Sequence, residues 1–326
     1  MKATARAHTN IALIKYWGKR DEQLFLPMNN SISITLDQFY TTTSVTFQDD
    51  LASDVFVLDG VELGGAEQNK ISTFLDLVRK TTKHHGYAVV ESSNNVPTAA
   101  GFASSASGFA ALAAASTKAL GYEISDAGLS ILARQGSGSA CRSIYGGFVE
   151  WHMGEKNDGT DSFATQLLSE EDWQLSIISV MVEAKQKKVL SREGMKRTVE
   201  TSPFYDGWLA SLEPDLLATR AAIANRTFEQ LGTVLERNAM KMHATTLGAN
   251  PPFMYWMSST IEVMQAVQEL REDGIQAYFT IDAGPNVKVI CQPADERVVM
   301  DRLKQLMCVK DLFLCHPGPG IHYLTT

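Results

Sequence analysis

Cysteine is scarce, with four residues in a chain of 326. Cys141, Cys291, Cys308 and Cys315 are scattered, and no two stand at a metal-type spacing. This argues against a disulfide framework and a thiolate zinc site, and reduced thiols in a cytoplasmic protein are the expectation. The seven histidines contain no His-x-x-x-His pair. Long apolar runs are also missing. The most apolar helical stretch, around residues 108–120, is too short to span a bilayer and carries Ser116, Thr117 and Lys118. The first residues, Met1-Lys2-Ala3-Thr4-Ala5-Arg6, are not followed by an apolar signal-peptide core, so no membrane partner and no leader are expected. Basic residues are outnumbered, 29 against 37 acidic, for a net charge of -8. That balance argues against a general nucleic-acid surface but leaves room for a local basic pocket. No internal repeat or low-complexity segment is present.

An apolar fraction of 44% and a charged fraction of 20% describe a globular chain long enough for one large or two ordinary domains. Its organising stretch is Pro97-Thr98-Ala99-Ala100-Gly101-Phe102-Ala103-Ser104-Ser105-Ala106-Ser107. A strand is expected before it (87–91) and an alanine-rich helix after it. Small residues let a backbone approach a ligand closely, and a helix N-terminus offers free N–H groups to an anion. Residue types alone allow two readings, a phosphate cradle or a packed turn with serine caps. No Gly-Lys-Ser/Thr follows, so the loop is not of the Walker type.

Four further segments carry chemistry. Lys15-Tyr16-Trp17-Gly18-Lys19 reads as a turn after a strand, suited to a multiply charged substrate or to a solvated face beside a buried Trp17. Gly136-Ser137-Gly138-Ser139-Ala140-Cys141-Arg142-Ser143 is a second small-residue loop. It delivers one guanidinium, for a carboxylate, a phosphate or an interdomain salt bridge. Residues 184–197 hold six basic residues and one acid, as a surface face or a mobile lid over phosphates. Asp282 ends an alternating strand before Ala283-Gly284-Pro285-Asn286, where an Asx-type turn role competes with a catalytic one. Elsewhere, alternation predicts a β-meander over 31–58, helices over 67–84, 213–226, 227–244 and 258–273, and an exposed connection over 154–172. A strand over 175–182 closes the first domain (1–182), and a second (183–326) follows, whose last strand can return to the first lobe.

Residues 97–107 resemble the phosphate loop of the GHMP small-molecule kinase superfamily, with Phe102 in its usual leucine position. Together with Lys15-Tyr16-Trp17-Gly18-Lys19, Ser137-Gly138-Ser139-Ala140-Cys141-Arg142 and Ile281-Asp282-Ala283-Gly284-Pro285-Asn286, they resemble, in order and over nearly the whole chain, the motif set of the diphosphomevalonate decarboxylase family. The resemblance implies an α+β, two-lobed GHMP-kinase-type fold, with a ribosomal protein S5 domain 2-like first lobe, a ferredoxin-like second lobe and the site between them. It implies ATP-dependent conversion of mevalonate 5-diphosphate to isopentenyl diphosphate, CO2, ADP and phosphate, in a cytoplasmic homodimer. Asp282, Lys15 and Arg142 would be catalytic. Tyr16, Trp17, Gly18, Lys19, Lys70, the 137–142 loop, Arg192 and Thr201 would bind substrate. Ser93, Asn94, Ala100, Gly101, Ala103, Ser104, Ser105, Ser107, Lys187 and Ser191 would bind ATP, with Mg2+ held mainly by the phosphates and by Ser105. A kinase of the same superfamily that does not decarboxylate, and a silent sensor of that fold, are the alternatives.

Overall fold

The structure, a computed structural model, describes residues 1–95, 104–183 and 188–325. The chain opens with β1 (Lys2–Ile14), a short ribbon of β2 (Lys19–Asp21) and β3 (Leu26–Pro27), and β4 (Ser31–Gln48). Then come β5 (Val55–Leu58), β6 (Val61–Leu63), α1 (Gly65–Thr82), β7 (Tyr87–Asn94), α2 (Ser104–Ala119) and α3 (Asp126–Arg134). A 3-10 turn at Gly138–Ile144, β8 (Phe148–Trp151) and β9 (Ala164–Leu168) complete the first half.

The expected meander is instead one 18-residue strand, β4, followed by a short hairpin. β-branched and small hydroxyl residues at 31–35 and 41–46 hold β4 extended on both sides of Asp37, which falls inside a local break in the pairing and does not end the strand. It pairs with β1 along one edge; along the other it takes β8 at its start and β7 further on. The register breaks where Tyr40 faces His8 but Thr35 faces Asn10, leaving residues 36–39 out of the ladder. The connection expected over 154–172 contains β9, paired with β8.

α2 covers this sheet with alanines, Ala110 to Ala115, buried against β1 and β4. Gly136, after α3, lies so close to Phe109 of α2 that a Cβ there would come within 2.0 Å of the ring. Ser125 caps α3, its hydroxyl accepting from the Gly128 N–H at 3.2 Å.

The second half contains β10 (Ser176–Met181), α4 (Ser191–Thr201), α5 (Tyr205–Ala210), α6 (Leu212–Asn225), α7 (Phe228–Leu247) and α8 (Ser258–Glu272). It ends with β11 (Ala277–Ile281), β12 (Val287–Cys291), α9 (Glu296–Lys304), β13 (Asp311–Cys315) and β14 (His322–Leu324). β10 to β13 form an antiparallel sheet in the order β11-β12-β10-β13, the strand order of a ferredoxin-like unit. The boundary expected after residue 182 therefore needs correcting. β10 lies between β12 and β13 of the second sheet and cannot belong to the first. β14 pairs with β1 in the first sheet.

Four apolar clusters follow from this layering among the described residues, the smallest of them Cys141, Val149, Trp151 and Ala164. One lies between α1–α3 and the first sheet, and one between the second sheet and α8 and α9. The largest joins both halves, packing Ile11, Leu13 and Ile14 of β1 against α5–α7 and the inner face of the second sheet. The unladdered stretch of β4 is a further attachment point: Leu36 bridges Pro317, Asp37 accepts from the His316 N–H at 2.8 Å, and Phe39 meets Phe313 edge-on. The glycine- and proline-rich loop after β13 is thus an anchor between the lobes. Among the described residues no helix is long and apolar enough to cross a membrane.

Candidate active site

β1 ends at Ile14, and the next residue turns its side chain into the seam between the lobes. Lys15 is 2% exposed; its Nζ donates to Asp282 Oδ1 at 2.8 Å and to the Ala12 carbonyl at 2.9 Å. Its backbone is fixed on both sides, N–H to Asn238 Oδ1 and C=O from Asn29 Nδ2. Asp282 comes from the β11–β12 turn, which Asn286 ties down by accepting from the Val182 and Glu183 N–H groups. The Asp282 side chain is 37% exposed against 3% for that of Lys15, so the carboxylate is the member of the pair that faces the cleft.

Arg142 projects from the 3-10 turn into the same region and is 2% exposed. Its guanidinium donates to Asn10 Oδ1 at 3.1 and 3.2 Å and to Ser31 Oγ at 2.6 Å. Among the described residues no carboxylate lies within salt-bridge distance of it, which removes the interdomain salt-bridge reading. A buried cation held only by neutral groups is costly, and it is a standing site for an anionic ligand. Burial of the Asp282 carboxyl acts to raise its pKa, but the charges of Lys15, Lys288 and Arg142 prevail and hold it at about 2. Burial lowers the pKa of Lys15, and Asp282 opposes that shift, so the two remain an ion pair.

Lys15 and Lys19, four residues apart, point to different places. Lys19 turns the other way, pairs with Glu22 and lies 4.6 Å from the centre of the Phe25 ring. Arg192, near the start of α4, stacks on the same ring at 5.1 Å. Lys70 of α1 is close enough that Arg192 is, after burial, the main influence lowering its pKa. Tyr16 lies beside this group against Trp151, its hydroxyl buried with no hydrogen-bond partner among the described residues. Three cations, one acid and an orphaned hydroxyl thus gather in a second, cationic group.

The 137–142 loop joins the two groups. Ser139 is half-buried, its carbonyl accepting from Asn10, and Gly138 packs on Tyr16 and Trp151. Ala140 and Cys141 are buried behind, and burial pushes the Cys141 thiol up to about 12, which removes it as a nucleophile. Trp17 is a core residue whose carbonyl accepts from Tyr205 Oη. At Gly18, with φ at +106°, a Cβ would meet that same hydroxyl at 2.0 Å. Thr201 is not brought to the site. Its hydroxyl joins the end of α4 to the Asn250 N–H.

At the N-terminus of α2, Ser105 stands in the first turn, which contains no acid, and Ser137 Oγ donates to it at 3.3 Å. Ser107 is fully buried, bonded to Thr41 of β4, which also donates to Asn94 Oδ1. Asn94 lines an open cleft of about 530 Å³ with Gln38, Phe39 and Phe313, next to the exposed Ser93. Ser191 opens α4. Ala100, Gly101, Ala103 and Lys187 lie outside the described residues, as does the Ser104 side chain.

Sequence reading missed Lys288 and His243. Lys288 is 3% exposed, with Nζ 4.0 Å from Asp282 Oδ2; its signal was a lysine inside the apolar strand 287–291. His243 on α7 left no signal, since a histidine on a buried helix face is ordinary. Its Nε2 is 3.3 Å from the Ile281 carbonyl, and burial, then the charge of Lys15, lowers its pKa to about 3. The ring is therefore neutral in the folded protein and takes a proton near 6.5 only when unfolded. Stability should fall as pH drops from about 6.5 towards 3, by up to about 1.4 kcal/mol per pH unit from this group. His243→Gln should flatten that dependence in urea unfolding curves; equal slopes for both proteins would exclude the assignment.

Two lobes, a ferredoxin-like second sheet and a helix N-terminus facing the seam are the architecture of the GHMP kinase superfamily. Within it, this chain belongs to the diphosphomevalonate decarboxylase family. Residues 7–164 match the diphosphomevalonate decarboxylase-like N-terminal domain, and residues 177–316 the mevalonate 5-diphosphate decarboxylase C-terminal domain. The human diphosphomevalonate decarboxylase is 39% identical over 306 residues, 88% of this chain and 76% of that protein. The mevalonate diphosphate decarboxylase of Staphylococcus aureus is 49% identical with a TM-score of 0.95, over 99% of this chain and 98% of its own. A structure of MDDEF in complex with MVAPP, AMPPCP and magnesium is 48% identical, TM-score 0.95, over 100% and 99%.

Proposed function

We propose that this protein converts mevalonate 5-diphosphate to isopentenyl diphosphate, CO2, ADP and phosphate at the expense of ATP. The observation that carries this reading is the buried Arg142 guanidinium, held by Asn10 and Ser31, beside the Lys15–Asp282 pair. A kinase needs an aspartate at the hydroxyl and a cradle for phosphates. A second buried cation without an acid is what a substrate carboxylate requires.

In this assignment Tyr16, Lys19, Lys70, Ser139 and Arg192 take the diphosphate, and Arg142 takes the C1 carboxylate. That places the tertiary 3-hydroxyl at Asp282. Ser105 and the N-terminus of α2 take ATP phosphates, Ser191 approaches them from α4, and Ser93 and Asn94 lie at the nucleoside. No cluster of three or more acidic, His or Cys side chains that could hold a metal occurs among the described residues, so Mg2+ fits as an ion carried on the ATP phosphates with Ser105. When bound, MgATP supplies the γ-phosphoryl group that turns a poor leaving group into a good one.

Asp282 orients the hydroxyl and accepts its proton as the oxygen–phosphorus bond forms. Lys15 fixes Asp282 Oδ1 and offsets charge at the reacting oxygen. The C3–O bond then breaks with its electrons leaving on phosphate, and the C1–C2 electrons become the C2–C3 double bond as CO2 departs. Arg142 keeps the carboxylate in line and ionised until it leaves. A cytoplasmic homodimer belongs to the same proposal.

The test is to mix purified protein with MgATP and mevalonate 5-diphosphate and follow ADP and CO2 together. Equal release supports the assignment. ADP without CO2 would make the protein a kinase whose phosphorylated product survives, and neither product would refute the substrate.

A further inference from the structure

The second sheet has two faces, and its register decides which side chains meet the cleft. Ile177, Ile290 and Tyr278 lie in one row across three strands and join the core shared by both lobes. Ile178, Val289 and Phe279 lie in the next row and face α8 and α9 instead. The row after that, Ser179, Lys288 and Thr280, returns to the inner face. A buried polar stripe thus crosses β10, β12 and β11 below the Lys15–Asp282 pair, with Thr280 Oγ1 3.5 Å from the Ala12 carbonyl. Lys288 is its only charge.

A lysine in the middle of a buried strand loses hydration that no apolar residue would miss, so its retention calls for a partner. Its Nζ lies 3.5 Å from the Asn286 carbonyl and 4.0 Å from Asp282 Oδ2. Among the described residues the charged and titratable groups near it include Asp282, Lys15 and Cys315, with Arg142 acting on the same carboxylate and His243 close to it. Asp282 is the one acid among them that is ionised at neutral pH. Its two oxygens are divided, Oδ1 to Lys15 from the first lobe and Oδ2 to Lys288 from the second. Lys15 alone would leave the carboxylate free to swing about its single contact.

We propose that Lys288 is a positioning residue for the reaction: by holding Asp282 Oδ2 from within the second lobe, it sets the carboxylate rotation that presents this oxygen to the substrate hydroxyl. The inference rests on the assignment of Asp282 to that hydroxyl. Lys288 is 3% exposed beneath Asp282, so it acts through the carboxylate.

The experiment is a double-mutant cycle. Lys288→Met, close in length and uncharged, should lower kcat by about 10–100-fold with the KM for both substrates changed less than about 3-fold. In the Asp282→Asn background the same substitution should cost nothing further, because the group it positions is gone. Lys288→Gln, which keeps a donor, should fall between wild type and Lys288→Met; it also serves the cycle if the methionine variant is poorly folded. Near wild-type kcat in Lys288→Met overturns the proposal. So does a loss that multiplies with that of Asp282→Asn, since it would mean a structural role. Wild-type turnover in Asp282→Asn alone would instead overturn the role of Asp282.

Discussion

Asp282→Asn is expected to lower kcat by about 10²- to 10⁴-fold while the KM for both substrates changes little. The carboxylate is the exposed half of a buried ion pair, opposite two lysines and within the field of Arg142. Those cations keep it ionised at any working pH, and in doing so they make it a weak base. Asp282 therefore gains little by seizing a proton early. Its work is to hold the hydroxyl in line and to receive the proton once bond formation to phosphorus has acidified it, which suits the loose transition state of phosphoryl transfer. Asparagine keeps the volume and one acceptor but can neither take the proton nor balance Lys15. Because the diphosphate and the nucleotide are held elsewhere, their binding should survive. ADP release in steady state and in a single turnover checks this, and turnover near wild type would remove Asp282 from the mechanism.

Arg142→Gln should lower kcat/KM for mevalonate 5-diphosphate by about 10²- to 10³-fold. This corresponds to the loss of a buried, hydrogen-bonded charge pair with the substrate carboxylate, about 3–4 kcal/mol. Its second signature is thermal. Without substrate the guanidinium is a buried cation with only Asn10 and Ser31 as partners, so removing its charge relieves a desolvation cost. The variant should melt no lower than wild type. A residue whose role is structural would show the reverse, a fall in Tm with catalysis largely kept. Isothermal titration with mevalonate 5-diphosphate separates the two cases.

The motifs were legible because they are local: a short string fixes a turn, and a turn fixes where one side chain points. Residue types alone left Lys15, Arg142 and Asp282 each with a structural alternative, and it was the resemblance of their strings to the family's motifs that singled them out. What the sequence did not disclose was nonlocal. Lys15 and Lys19 are four residues apart, and only the turn through Gly18 sends one to Asp282 and the other to Phe25. Ser107 looks like part of a phosphate loop, yet the helix rotates its hydroxyl inward onto Thr41. Thr201 falls at the far end of the helix that Ser191 and Arg192 begin. Lys288 and His243 matter through contacts inside the second lobe, with Asp282 and with the Ile281 carbonyl, that no short string records. The strand 175–182 went to the wrong lobe because its apolar pattern fits the centre of either sheet, and pairing partners are not written in one strand. The long strand β4 was cut into pieces because a register break at 36–39 looks like a turn in alternation alone.

The ion pair between Lys15 and Asp282 spans 267 positions of the chain. At typical rates of about 5–20 residues per second, a ribosome adds the acid roughly 13–53 s after the lysine. During that interval the growing first lobe holds two inward-facing cations, Lys15 and Arg142, with no carboxylate to answer them. β14, which zips onto the very first strand, is made later still. The nascent protein is thus kept from closing this contact until synthesis has passed Asp282, and the first sheet gains its β14 edge only after that.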